Sequence, residues 1–309
     1  MLEVRRTTPS GIEQPAAPGE GCWLHVTRPA PADLQALREF GVPAPLLDHV
    51  ADIDERPRVE HAGDSVLVVM NYPLRSTDPV GPPWRTMPLS VVLTPRGVAT
   101  LSQGDTSFLQ PMLDGQVPGL STRRGREFVL RVFWLLADAC LMALREINAG
   151  VEVLEDKLKR SIRNEEVLGL LDFQKSLTYL ATALKANEIV LERLQRIPEL
   201  HWADQDQDLL DDVRVELRQA TEMVDIADHV LSDMMDAFAS IVSNNLNSVM
   251  KVLTAVTILL AVPTLIASLY GMNVLLPGAR SALAFTGIVL LSVVISGGLF
   301  VLFRRRNWL

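Results

Sequence analysis

The chain has 309 residues, of which 48% are hydrophobic and 21% charged, and its formal net charge is −8. An acidic chain without a basic block is poorly suited to binding nucleic-acid phosphate. Its two cysteines, Cys22 and Cys140, supply neither a disulfide framework nor a zinc site, whereas a mean hydropathy of +0.20 is high for a soluble acidic chain and points to segregated apolar segments.

Residues 1–21 are polar and rich in Pro, Gly and Arg, which predicts a flexible N-terminus without a signal-peptide pattern. Residues 22–123 predict a small α/β domain. Strand-like runs occur at 22–26, 66–70 and 89–93, and Pro95-Arg96-Gly97 is turn chemistry leading into 98–101 as a hairpin partner. Residues 32–40 and 44–53 suit short helices, and 76–86 form a Pro-rich loop. Neither a phosphate-binding glycine loop nor an ordered acid, base and nucleophile set is present, so the reading is that this is not an enzyme.

Residues 124–204 read as helical, with one helix over 124–163 and another over 166–196 that Pro198 ends. Asp204, Asp206 and Asp208 have the spacing of an EF-hand loop. Leu209 stands where that loop needs Gly, however, and Val215 where it needs Glu. These acids better suit a helix N-terminus, where negative charge is favourable.

A clear periodicity comes next. Leu210, Val213, Leu217, Ala220, Val224, Ala227, Leu231, Met234, Phe238 and Ile241 alternate spacings of three and four. This is the seam of a long packed helix. No Pro or Gly interrupts between Pro198 and Pro263, so residues 205–270 are predicted to be one stalk helix that continues into a first span at about 250–270.

The last acid is Asp236; the chain carries −13 up to that point and +5 beyond it. Two uncharged apolar runs come after it, Val252 to Tyr270 with 19 residues and Ser281 to Phe303 with 23. About 20 apolar residues in a helix cross the hydrocarbon core, so both runs are long enough to span. Lys251 opens the first run and Arg304, Arg305 and Arg306 close the second, which puts both ends on the cytoplasmic side by the positive-inside rule. The expected fold class is an α+β cytoplasmic domain, a long α-helical stalk and two C-terminal transmembrane helices. Residues 271–280 form the outer loop and 304–309 a basic tail.

A weakly polar stripe runs beside the seam. Asp233, Asp236, Ser240, Asn244 and Asn247 lead toward Thr254, Thr257, Ala261, Thr264 and Ser268. In a membrane helix, Thr and Ser can simply bond back to the preceding turn or serve close helix packing. The alternative is a face lining a water path, which the continuity of the stripe favours. Two spans cannot enclose a path, so that reading requires an oligomer.

The first span ends in Tyr270-Gly271-Met272-Asn273. With Ser248-Val249-Met250-Lys251-Val252-Leu253-Thr254 at the inner boundary and a basic run ending in Trp308-Leu309, the chain resembles the CorA family of divalent-cation channels in outline over its whole length. Independently of that resemblance, the last carbonyls of a helix lack partners and carry partial negative charge. Gly271 lets the chain leave helical geometry, and Asn273 adds a neutral amide oxygen; a C-cap and turn is the alternative. Neutral oxygens that bond a hydrated ion suit Mg2+, which sheds water reluctantly.

The resemblance implies a homopentamer in the cytoplasmic (inner) membrane, in contact with lipid, that conducts Mg2+ and admits Co2+ or Ni2+. It places Gly271, Met272 and Asn273 at the entrance and Asn247, Met250 and Leu253 near the cytoplasmic constriction. It also implies gating by cytoplasmic Mg2+ at carboxylates between subunits, Asp236 and Asp233 being the stalk candidates, with Asp52, Asp54 or Glu55 as candidates for the partner. The outer loop is short and holds no acid, only Arg280. A zinc transporter of the same fold and a membrane-anchored sensor or scaffold are the alternatives.

Overall fold

The computed structural model describes residues 1–309 apart from 48–51, 161–163, 198–201, 203, 273–281 and 309. They fall into two compact units, Met1–Asp233 and Met234–Leu309.

The first unit is built on a seven-stranded sheet. Its strands are β1 (Leu2–Thr8), β2 (Gly11–Glu13), β3 (Cys22–Thr27), β4 (Arg58–Ala62), β5 (Ser65–Arg75), β6 (Trp84–Thr94) and β7 (Gly97–Ser102), in the spatial order β2-β1-β3-β7-β6-β5-β4. All neighbours are antiparallel except β3 and β7, which pair in parallel from Cys22↔Gly97 to Thr27↔Ser102. Position 97 has to be glycine: φ is +152°, and a Cβ there would sit 2.2 Å from the Cys22 carbonyl oxygen.

Alternate residues of a strand face opposite sides of the sheet. On one side Cys22, Leu24, Val26, Ala99 and Leu101 form a core with Leu37 and Phe40 of α1 (Pro31–Phe40) and Leu46 and Leu47 of α2 (Ala44–Leu47). On the other, Trp23 meets Phe128 edge-on at 4.9 Å. Phe128 belongs to α4 (Gly125–Arg160), which comes after the 3-10 turn Ser107–Leu109 and the short α3 (Gln110–Leu113).

Trp23 Nε1 donates to Thr100 Oγ1 at 2.8 Å, and His25 lies between Thr100 Oγ1 (2.8 Å) and Thr106 Oγ1 (2.9 Å). Burial, reinforced by Arg5 and the N-terminal ammonium, pushes the His25 pKa down from 6.5 to about 4. This imidazole is therefore neutral and structural. Burial likewise pushes the Cys140 thiol up to about 12, which leaves it inert.

α5 (Asn164–Gln195) is fastened to the sheet by side chains. β4 ends its pairing with β5 at Arg58↔Val69, preceded by Pro57, which has no amide to donate. Further along β5, Asn187 continues the edge: its Oδ1 accepts from Asn71 N at 2.9 Å and its Nδ2 donates to Asn71 O at 2.7 Å. Ser176 Oγ accepts from Trp84 N at 3.2 Å.

α6 is a single helix, Asp204–Tyr270. Its seam is buried at Leu210, Val213, Leu217, Ala220, Val224 and Leu231, while Ile241 is exposed. α7 (Ala282–Arg305) ends in a cap in which Asn307 takes φ +53°, Trp308 N donates to Phe303 O at 3.0 Å, and the two aromatic rings stack at 5.5 Å. That pairing of a left-handed residue with a hydrophobic contact is the usual way a helix ends its last carbonyls.

The structure corrects three expectations. Residues 1–21 are not uniformly flexible, because β1 and β2 add to the sheet edge and Leu2 and Val4 pack on the core. Of the helix expected over 44–53, Ala44–Leu47 is helical, 48–51 lie outside the described residues, and Ile53 lies in a turn. The Pro-rich loop stops short of Thr86, since β6 begins at Trp84.

The fold makes stability depend on pH and on one edge contact. Between pH 6.5 and about 4 the unfolded chain binds a proton at His25 that the native chain does not. Stability should therefore fall as pH drops through that window, by up to about 3 kcal/mol from this group. Chemical-denaturation midpoints measured from pH 7 to 4 should show a smaller slope in His25→Gln; an equal slope would mean that His25 is not the group responsible. Asn187→Leu strands a backbone amide and a carbonyl of β5 and should cost about 2–3 kcal/mol, read from the same midpoints.

Candidate functional site

The span of α6 presents two unlike faces. Leu259, Pro263, Ala267 and Tyr270 turn toward α7, where they line a groove of about 1030 Å3 with Phe285, Val289 and other residues of α7. Ala255, on the same side, is fully buried. Thr257, Ala261, Thr264 and Ser268 line an open face made of α6 alone. At ~100° per residue, that face lies roughly 150° around the helix from the α7 side.

Asn247, Met250, Leu253 and Thr254 are exposed and continue the same face toward the N-terminal end of the span. With Thr257, Ala261, Thr264 and Ser268 they occupy an arc of roughly 120°, counted at the same ~100° per residue. The structure thus brings every expected lining residue to one side, away from α7. Asn244 falls outside the arc, because the periodicity slips there.

The hydroxyls are oriented by the helix itself. Thr257 Oγ1 donates to Leu253 O and Thr264 Oγ1 to Leu260 O, both at 2.8 Å. This is the back-bonding that the packing reading anticipates, but it occurs on the face that does not pack on α7. Its chemical consequence is specific. Each hydroxyl proton points into the backbone, so the lone pairs left over make the outward group an acceptor.

At the C-terminal end of α6, Gly271 N donates to Ala267 O at 3.0 Å and to Ser268 O at 3.2 Å. Gly271 is not left-handed, and among the described residues a Cβ there would meet only those two oxygens, at 3.5 Å. Steric demand from the described residues therefore does not explain this glycine. The remaining terminal carbonyls carry the negative end of the helix dipole. Met272 is exposed, and Asn273 lies outside the described residues.

Asp233 and Asp236 are exposed on α6. Among the described residues no group of three or more His, Cys, Asp or Glu could hold a metal ion. Of the proposed partners, Asp52 Oδ1 accepts from Asp54 N at 2.9 Å, and Glu55 is paired with Arg58.

The comparisons with known proteins agree over nearly the whole chain. The model of the CorA-like Mg2+ transporter protein family matches residues 19–305. The chain is 28% identical to the cobalt/magnesium transport protein CorA of Methanocaldococcus jannaschii over 293 residues, which is 93% of this chain and 91% of that one. It is 24% identical to the zinc transport protein ZntB of Klebsiella pneumoniae over 295 residues, covering 93% and 88%. The solved structure of the complete CorA magnesium transporter of M. jannaschii superposes with a TM-score of 0.85 at 26% identity, covering 100% of this chain and 99% of that one. The α+β domain, the long helix and the two apolar C-terminal helices are accordingly those of a membrane transporter, and the chain belongs to the CorA-like family of divalent-cation transporters.

Proposed function

We propose that the chain moves Mg2+ down its gradient through a homopentameric pore in the cytoplasmic membrane, with both termini in the cytoplasm. The observation that carries the reading is the α6 face opposite α7, along which back-bonded threonines offer only acceptor oxygens. A hydrated cation presents water protons outward, and acceptors that need not reorganise match that shell. One chain cannot close this face into a conduit, and several copies around an axis can.

Asn273 and the carbonyls ending α6 then form the entrance, while Met250 and Leu253 narrow the cytoplasmic end. The path holds no carboxylate, since no acid comes after Asp236. It therefore selects by fit to the hydrated ion, and Co2+ and Ni2+ are admitted on the same terms. Lys251 and Arg304 to Arg306 set the orientation.

Mg2+ requires near-octahedral oxygen coordination. Asp233 and Asp236 supply too few oxygens alone, so we place the regulatory ion between neighbouring subunits. A zinc transporter of the same fold is the second reading, favoured by the similarity to ZntB over 93% of the chain.

Proteoliposomes holding the purified protein should take up Mg2+ down its gradient and Zn2+ poorly; uptake of Zn2+ alone would select the second reading, and uptake of neither would sink the channel. Asn273→Ala should abolish Mg2+ uptake or broaden its selectivity without altering assembly. Gly271→Ala should leave thermal unfolding within about 1 kcal/mol of the parent, because its Cβ fits among the described residues. Any transport defect in that variant then arises at the entrance. Asp236→Ala should reduce the protection from protease that Mg2+ confers, and equal protection would remove Asp236 from the gate.

A further inference from the structure

A cleft of about 790 Å3 opens in the α/β domain, wholly within Met1–Asp233. Its position is set by the one parallel strand pair. The chain leaves β3 for α1, which covers the face bearing Cys22, Leu24 and Val26. It leaves β7 for Thr106 and α4, which meet His25 and Trp23 on the opposite face. Where the connections from two parallel neighbours part to opposite faces, a crevice opens at their carboxyl ends, and open α/β sheets bind ligands there. The cleft is lined by Arg28, the first residue after β3, and by Gln103 to Asp105, directly after β7.

Arg28, Arg75 and Arg85 line it together with Asp54 and Asp105, and Arg75 is itself paired with Glu146 at 3.6 Å. Asp105 Oδ1 is already engaged by Ser107 N at 3.1 Å. The lining thus gathers three arginines within a unit, Met1–Asp233, of net charge −12. Among the described residues, no hydrogen bond or ion pair holds the guanidinium of Arg28 or Arg85. Arg28 also takes φ +48°, a left-handed conformation uncommon for a non-glycine residue, and its amide is held by Ser102 O at 2.7 Å. Such backbone outliers gather at ligand sites. Trp84 adds a half-buried ring to the wall.

We propose that this cleft binds a nucleoside polyphosphate, with Arg28 and Arg85 on the phosphates, Arg75 beside them, and the Trp84 ring against the base. Guanidinium forks match phosphate oxygens in pairs. The volume far exceeds that of a bare phosphate and falls in the range of small-ligand pockets. The site is independent of the path along α6.

The test uses the full chain in detergent with EDTA, which keeps divalent cations out of the measurement. ATP, inorganic pyrophosphate and adenosine are titrated separately by calorimetry. ATP should bind saturably, one per chain, and more tightly than pyrophosphate or adenosine. Combining Arg28→Asn, which tolerates the left-handed backbone, with Arg85→Gln should weaken ATP roughly tenfold or more while leaving thermal unfolding unchanged. Trp84→Leu should weaken ATP but not pyrophosphate. The absence of any ATP binding, or an ATP affinity unchanged in the double variant, overturns the site. Pyrophosphate binding as tightly as ATP overturns the nucleoside assignment.

Discussion

The structure depends first on a rule about backbone amides. Within hydrocarbon every N–H and C=O must be bonded inside the segment, so a single span has to be a helix. α6 obeys this so fully that even Thr257 and Thr264 bond to their own backbone. Few oxygens are then free for an ion. Pro263 brings no amide to the carbonyl of Leu259, but both residues lie on the side facing α7. What remains is the hydroxyl lone pairs on the opposite face and the carbonyls that end the helix at Tyr270. The scarcity of free oxygens confines the candidate path to a stripe and an end.

The sheet has a comparable constraint in its one parallel contact. Gly97 lets β7 approach the Cys22 carbonyl, and that approach sets β3 and β7 side by side in the same direction. Parallel neighbours need a crossover connection, which here carries α1 and α2 over one face, while the chain leaving β7 lays α4 on the other. The two cores of the first unit and the arginine-lined cleft arise from this single pairing.

Much of this was legible in the residues. The seam of α6, its lack of breakers and the loss of acids after Asp236 marked a long helix and two spans. The threonine stripe declared its periodicity but not its orientation, because a sequence does not say which arc α7 covers. β1 and β4 were harder. β1 alternates Leu2 and Val4 with Glu3 and Arg5, a short strand signal hidden among charged residues, and β4 is a polar edge strand recognisable only once β5 lies beside it. Arg28, Arg75 and Arg85 gave no motif at all, since they sit at three separate places in the chain: just after β3, at the end of β5 and on β6.

By itself, then, the sequence determined the properties that local periodicity and transfer between water and hydrocarbon impose: helix lengths, the two spans, the segregation of charge and the motif that ends the first span. They are carried by neighbours three or four residues apart or by runs of one polarity. Only the tertiary structure decided which face of α6 is left open, how Asn187 completes the edge of β5, and that β3 and β7 run parallel. Those outcomes depend on contacts between residues distant in the chain, for which no local pattern carries a signal.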